Sequence, residues 1–288
     1  MPSPSRLPAV TLSLAILLTA GCAAQNGGST PLPVTDARTL AQLEAALAGE
    51  HRAAGNPARD LYRHPRETLT FFGLRRDMTV MEVWPGAGGW YTEILAPVLR
   101  DKGHYIAASW DPASDSQYVR EGRQAFAAKL ASRPDLYDRV VVTALQHPGA
   151  LQPVTPGSVD LVLTFRNLHN WMARDAAGPM LAAIYAALRP GGILGVVEHR
   201  APDSAAQDPQ ARSGYVREDY AIALAEAAGF ELVGSSEINA NPRDTKDYPR
   251  GVWTLPPTLT LGDQERERYL AIGESDRFTL RFRKPARR

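Results

Sequence analysis

The sequence predicts an α/β fold of seven strands: a mostly parallel sheet flanked by helices and ending in an antiparallel hairpin. Three observations carry that prediction. Short β-branched runs alternate with helical periods from residue 78 to residue 229, the rhythm of strands joined by crossover helices. The first run ends in a glycine-rich turn that leads into a helix. The chain then closes on two strands in place of a strand and a helix, which suits an antiparallel edge pair.

Composition narrows the class. A chain of 288 residues is one large domain or two small ones by the usual size of about 100–200 residues each. Lys and Arg number 32 against 31 Asp and Glu, a net charge of +1, so no broadly basic surface for nucleic acid is expected. One cysteine cannot form an internal disulfide, and six dispersed histidines show no zinc-motif spacing. No metal is expected on these grounds.

The first 21 residues read as a secretory signal. Arg6 supplies the positive end, residues 10–20 form a short apolar run, and Thr19, Ala20 and Gly21 place small residues before Cys22. The run is far shorter than the ~20 residues a membrane-spanning helix needs. Leu18-Thr19-Ala20-Gly21-Cys22 resembles a bacterial lipobox, which implies diacylglycerol on the Cys22 thiol, attachment to the cell envelope and a membrane contact through that lipid. An ordinary cleaved signal is the alternative. Residues 22–35 follow as a Gly/Ser/Pro tether, and 36–288 form the folded domain.

Residues 36–48 place Leu40, Leu43, Ala46 and Leu47 at helical spacing, and 51–72 hold a second helical segment restarted at Pro65. Strands are expected at 78–84, 104–110, 139–145, 159–165 and 193–198, with helices at 91–99, 116–130, 176–188 and 217–228. Pro97 conflicts with its helix, since it removes a backbone donor and is expected to kink or shorten the last turn. Pro190-Gly191-Gly192 reads as a turn. The final strands are 231–238 and 277–283, with a short helix within 263–272; Phe278, Leu280 and Phe282 alternate strictly with Thr279, Arg281 and Arg283.

A parallel sheet binds ligands beyond the carboxyl ends of its strands. The turn after the first strand offers Gly86 and Gly88, which lack a Cβ and can bring main-chain amides against a ligand. A dinucleotide fingerprint would require a third glycine at position 91, where the chain has Tyr91. Glu82, near the end of the first strand, would oppose a pyrophosphate and suit a cationic ligand.

Val80-Met81-Glu82-Val83-Trp84-Pro85-Gly86-Ala87-Gly88 resembles motif I of the class I methyltransferases that use S-adenosyl-L-methionine (SAM), with Trp84 where the first glycine usually stands. Together with Tyr62-Arg63-His64-Pro65, Trp90-Tyr91-Thr92-Glu93, Phe165-Arg166-Asn167-Leu168-His169-Asn170-Trp171 and Asp276-Arg277-Phe278, it resembles a bacterial family of exported methyltransferases over residues 51–285. The resemblance implies a Rossmann-like seven-stranded sheet, SAM as cofactor and methyl transfer to a small or medium-sized acceptor. By position it implies cofactor contacts at Glu82, Gly86, Gly88 and Asp111. Asp111 could equally cap its own turn.

Residues after the fourth and fifth strands then face the methyl donor. Arg166, Asn167 and Asn170 are the expected acceptor contacts, and His169 and His199 the candidate bases, each with a purely structural alternative. Gln146 or His147 would border the adenine. Arg59, Tyr62 and His64 could belong to a lid or to a salt-bridged surface helix, and the segment 241–257 could cover the acceptor side. Two other functions stay open: a nicotinamide-dependent oxidoreductase, and an envelope lipoprotein that keeps the fold without catalysis.

Overall fold

The computed structural model describes residues 1–2 and 31–286. The expected signal beyond its first two residues, Cys22 and the tether to residue 30 lie outside the described residues. No described helix is long and apolar enough to cross a membrane.

The strands are β1 (Thr79–Val83), β2 (His104–Ser109), β3 (Val141–Ala144), β4 (Val159–Phe165), β5 (Leu188–His199), β6 (Glu231–Ser236) and β7 (Arg277–Arg283). They form a seven-stranded sheet in the order β3-β2-β1-β4-β5-β7-β6. Only β7 runs against its neighbours, pairing antiparallel with β5 and β6. Chain order therefore reverses between β1 and β4, where the loops of the two halves part and leave a crevice.

The helices are α1 (Ala37–Leu47), α2 (Asp60–Arg63), α3 (Pro65–Phe71), α4 (Thr92–Leu99), α5 (Gln117–Ser132), α6 (Pro134–Tyr137), α7 (Leu168–Met172), α8 (Ala177–Ala187), α9 (Glu218–Ala227) and α10 (Arg266–Ile272). Asp36 caps α1 by accepting from the Arg38 and Thr39 amides, both at 2.9 Å, a contact of about 1 kcal/mol. Pro65 starts α3 at a position where no amide donor is needed.

Each sheet face carries its own core. Met81 and Val83 join α7, α8 and α9 on one face, whereas Val80, Tyr105 and Ala107 join α1, α3 and α4 on the other. Glu82 shares Val80's parity in β1, so its side chain is directed to the α4 face. The 189–192 segment is a bulge within β5, with pairing that jumps from Val159–Leu188 to Leu161–Ile193. The short helices α6 and α7 do not figure in the sequence reading.

Pro97 leaves α4 continuous to Leu99. Its missing amide would have bonded the Glu93 carbonyl, and the His51 ring Nε2 lies 2.7 Å from that oxygen in its place. An accessory helix region thus supplies the donor that the proline lacks.

Candidate functional site

A cleft of about 290 Å3 opens at the carboxyl ends of β1, β4 and β5. That volume lies just below the range of roughly 300–1,000 Å3 for ligand pockets. Trp84, Gly86, Trp110 and Tyr118 line one end, while Arg166, His169, His199 and Arg277 line the other. Val252, Trp253 and Pro256 to Thr258 lie across it, so part of the expected cover from 241–257 does reach the cleft.

At the first end, Gly86 has φ +74 and Gly88 has an ordinary backbone; a Cβ at either would meet nothing within 4 Å. The bend is open above both. Trp84 holds φ +51, the left-handed conformation that a glycine adopts without strain. For a bulky residue this costs about 1–3 kcal/mol. Its indole packs against Trp110 and edge-on to Trp171, and donates to the Leu145 carbonyl at 2.7 Å, which offsets the strain. Arg166, immediately after the neighbouring β4, also sits at positive φ (+60). Two adjacent strand ends therefore break into the cleft through strained residues.

Glu82 does not line the cleft. It is 3% exposed and accepts from the Tyr105 hydroxyl at 2.5 Å, which also bonds Thr92 at 2.8 Å. Burial pushes its carboxyl up to about 7 against the lowering effect of those hydroxyls. Asp111 lies beside Trp110 outside the lining, with one carboxylate oxygen accepting from the Ala113 amide at 2.9 Å, the turn-capping arrangement. Gln146 accepts from the Asp111 amide at 3.1 Å, tying the ends of β2 and β3 together. Among the described residues no Asp or Glu lines the cleft.

The second end gathers the other expected residues. Asn167 donates to the Val83 carbonyl at 2.8 Å and to Thr164 at 3.2 Å, clamping β4 to β1. Asn170 lines the rim and makes a long contact of 3.4 Å to the Arg166 carbonyl. His169 and His199 lie with ring centres 5.3 Å apart. Glu198 accepts from the His169 amide at 3.2 Å and from its Nδ1 at 3.0 Å. A carboxylate only accepts, so Nδ1 of His169 carries a proton, and the neutral ring has its lone pair on Nε2. His199 is held differently, with Nδ1 2.5 Å from the Ser275 hydroxyl. Burial, then the neighbouring His169, Arg277, Arg166 and Arg63, drive its pKa well below the usual histidine value. It stays neutral and is a poor proton acceptor.

The sequence reading passed over Glu198, Ser275 and Arg277 as site residues. Glu198 was visible only as the acid preceding His199 at a strand end. His169, Glu198 and His199 offer potential ligand atoms within 4.8 Å of one another, but the guanidinium groups of Arg166 and Arg277 on the same side oppose a divalent cation.

Arg59, Arg63 and Arg277 converge on one buried carboxylate, Glu274. Burial alone would raise the pKa of Glu274, but Arg277, Arg63, Arg166 and Arg59 outweigh it and hold the group well below the carboxylate range. Arg63 also stacks over Trp90, 4.7 Å from the ring centre. The expected lid residue Arg59 thus belongs to an ion cluster that binds α2 to the start of β7, and Arg59, Tyr62 and His64 lie outside the cleft lining.

Known structures share this architecture. A SAM-dependent methyltransferase from Aquifex aeolicus is 16% identical, with a TM-score of 0.53 over 79% of this chain and 93% of that one. The [4+2]-cyclase SpnF is 17% identical, with a TM-score of 0.54 over 90% of this chain and 99% of that one. A putative sarcosine dimethylglycine methyltransferase from Galdieria sulphuraria is 12% identical, with a TM-score of 0.51 over 80% of this chain and 87% of that one. The chain has the Rossmann-like methyltransferase fold. At such identities the likeness concerns fold, and the cyclase illustrates that fold alone does not fix the reaction. No protein-family model matches the chain, and no curated protein matches it.

Proposed function

We propose that the protein is a SAM-dependent methyltransferase of a small acceptor, related to the exported bacterial methyltransferases whose motifs its sequence resembles. One observation carries the reading: in this strand order, the bare bend enters through Gly86 the same cleft that His169 lines, with Gly88 just outside the lining.

The residues fit the nucleoside part of SAM through backbone and aromatic faces. Gly86 and Gly88 leave room for close approach, Trp110 and Tyr118 offer ring faces, and Asp111 lies next to Trp110. Glu82 acts from beneath, fixing the bend through Tyr105 and Thr92. When bound, SAM supplies an electrophilic methyl group on a sulfonium. The chain's own part is alignment and exclusion of water: Trp253 and the prolines cover the acceptor, and His169 takes a proton at Nε2 when the acceptor must lose one. Glu198 orients the ring by accepting from Nδ1, which directs Nε2 to the acceptor, and it stabilises the cation formed when that proton is taken up.

Calorimetric titration with SAM, S-adenosylhomocysteine and NADPH tests the reading. Saturable binding of the two sulfur nucleotides and none of NADPH is expected; NADPH binding alone would reverse the choice in favour of an oxidoreductase. Export with acylation at Cys22 belongs to the same proposal and rests on Arg6, the apolar run and the lipobox-like residues. Mass spectrometry of the cell-derived protein should find Cys22 as a lipidated first residue, and an intact Met1 would contradict it.

A further inference from the structure

Four arginines, Arg59, Arg63, Arg166 and Arg277, surround a single carboxylate, Glu274. Three of them bond it. Arg166 does not. Its guanidinium is half-buried, lines the cleft and makes no hydrogen bond or ion pair among the described residues. Arg277, beside it in the lining, has its Nη atoms engaged by Tyr62 and Glu274 while its buried Nε is unpartnered. Around Glu274 four positive charges face one negative, Arg174 adds a further guanidinium to the cleft lining, and among the described residues no carboxylate lines the cleft. A partly buried cation without a partner is unfavourable in a free protein and is satisfied when an anion docks.

The Arg166 backbone is strained as well, with φ +60, and its amide bonds the Val197 carbonyl at 2.7 Å. The fold thus holds this arginine in the cleft at a cost in both conformation and charge. Burial, then Arg277, lowers its pKa to about 10, which still leaves it charged at neutral pH. Phe165, Val252, Trp253 and Pro256 provide an apolar wall around it.

We propose that the acceptor end of the cleft is an anion receptor, in which Arg166 directly binds a carboxylate or phosphate group of the acceptor and Arg277 reinforces the field. The aromatic and proline cover encloses the apolar body of that molecule. This rests on the reading of the cleft as the acceptor site, and it restricts the substrate class to small oxyanions. His169 then faces the uncharged portion that receives the methyl group.

The full chain is titrated with benzoate and with inorganic phosphate at constant ionic strength, by calorimetry and by thermal melting. Saturable binding of at least one probe is expected, and the tighter of the two identifies the oxyanion. Arg166→Gln should weaken binding at least about tenfold while the free variant melts no lower than the parent, because an unpaired charge has been removed; a merely structural arginine would lower the melting temperature instead. Arg189→Gln, far from the cleft, should bind like the parent. No saturable binding of either probe, or undiminished binding by Arg166→Gln, would overturn the proposal.

A second titration in saturating S-adenosylhomocysteine separates the two sources of carboxylate. Undiminished probe affinity supports the acceptor, and competition would assign Arg166 to the cofactor's own carboxylate and overturn the acceptor receptor. If the probes bind and S-adenosylhomocysteine does not, the methyl-donor reading fails while the anion receptor stands.

Discussion

The two ends of the cleft are built by opposite means. The β1–β2 end is neutral and shaped by backbone: an open bend, two indoles packed around that of Trp84, and a carboxyl retracted beneath the loop. The β4–β5–β7 end is cationic and shaped by side chains: Arg166, Arg277 and two imidazoles held by Glu198 and Ser275. The contrast separates recognition of a nucleoside by contour from recognition of a second molecule by charge. Charge complementarity to a cationic cofactor, the expectation attached to Glu82, has no support in the cleft wall.

The largest effect should come from the ion cluster beneath the cationic end. Glu274→Ala leaves Arg63 and Arg277 buried without their carboxylate, and is expected to cost about 3–5 kcal/mol in denaturant unfolding. A change under 1 kcal/mol would mean that the arginines are satisfied without Glu274.

Next is Glu82, which sharpens the account of the neutral end. Its folded pKa of about 7 exceeds the ordinary 4.5, so the folded protein binds this proton more tightly than the unfolded chain. Stability is then complete below about 4.5, falls as pH rises through about 7 and levels off above, a loss of about 3 kcal/mol from this group. Glu82→Gln should remove that slope and be the more stable protein at pH 8. An unchanged slope would contradict the burial of the group.

Much of the fold was legible in the sequence for physical reasons. The terminal alternation of Phe278, Leu280 and Phe282 reads directly as a strand of period two, and β-branched runs mark the parallel strands. The orientation of Glu82 was not legible, because β1 is buried on both faces and its apolar run gives no inside or outside to set parity. Nor was the role of Glu198: it bonds His169 across 29 residues of chain, a contact fixed only when β4 and β5 pair. The glycine bend is legible through its composition and Arg166 through its place after the fourth strand, whereas the lack of a partner for Arg166 emerges only when the chain folds.

Smaller effects probe single residues at each end. Trp84→Gly relieves left-handed strain but removes an indole, for a net loss of about 1–2 kcal/mol in thermal unfolding; a stabilised variant would mean the indole packing contributes less than the strain. At the other end, imidazole 15N NMR should show His199 neutral at pH 6, and His169 carrying its proton on Nδ1. A His199 that titrates near 6.5 would contradict its burial first and then the field of Arg277 and Arg166 beside it.

The division of the cleft is tested most directly by a crystal structure of the protein with S-adenosylhomocysteine. The account predicts the nucleoside over Gly86 and Gly88 beside Trp110, with the sulfur toward His169 and Arg166 left open. A structure in which the Trp84 indole occupies the nucleoside position, or in which the molecule fails to enter, would contradict it.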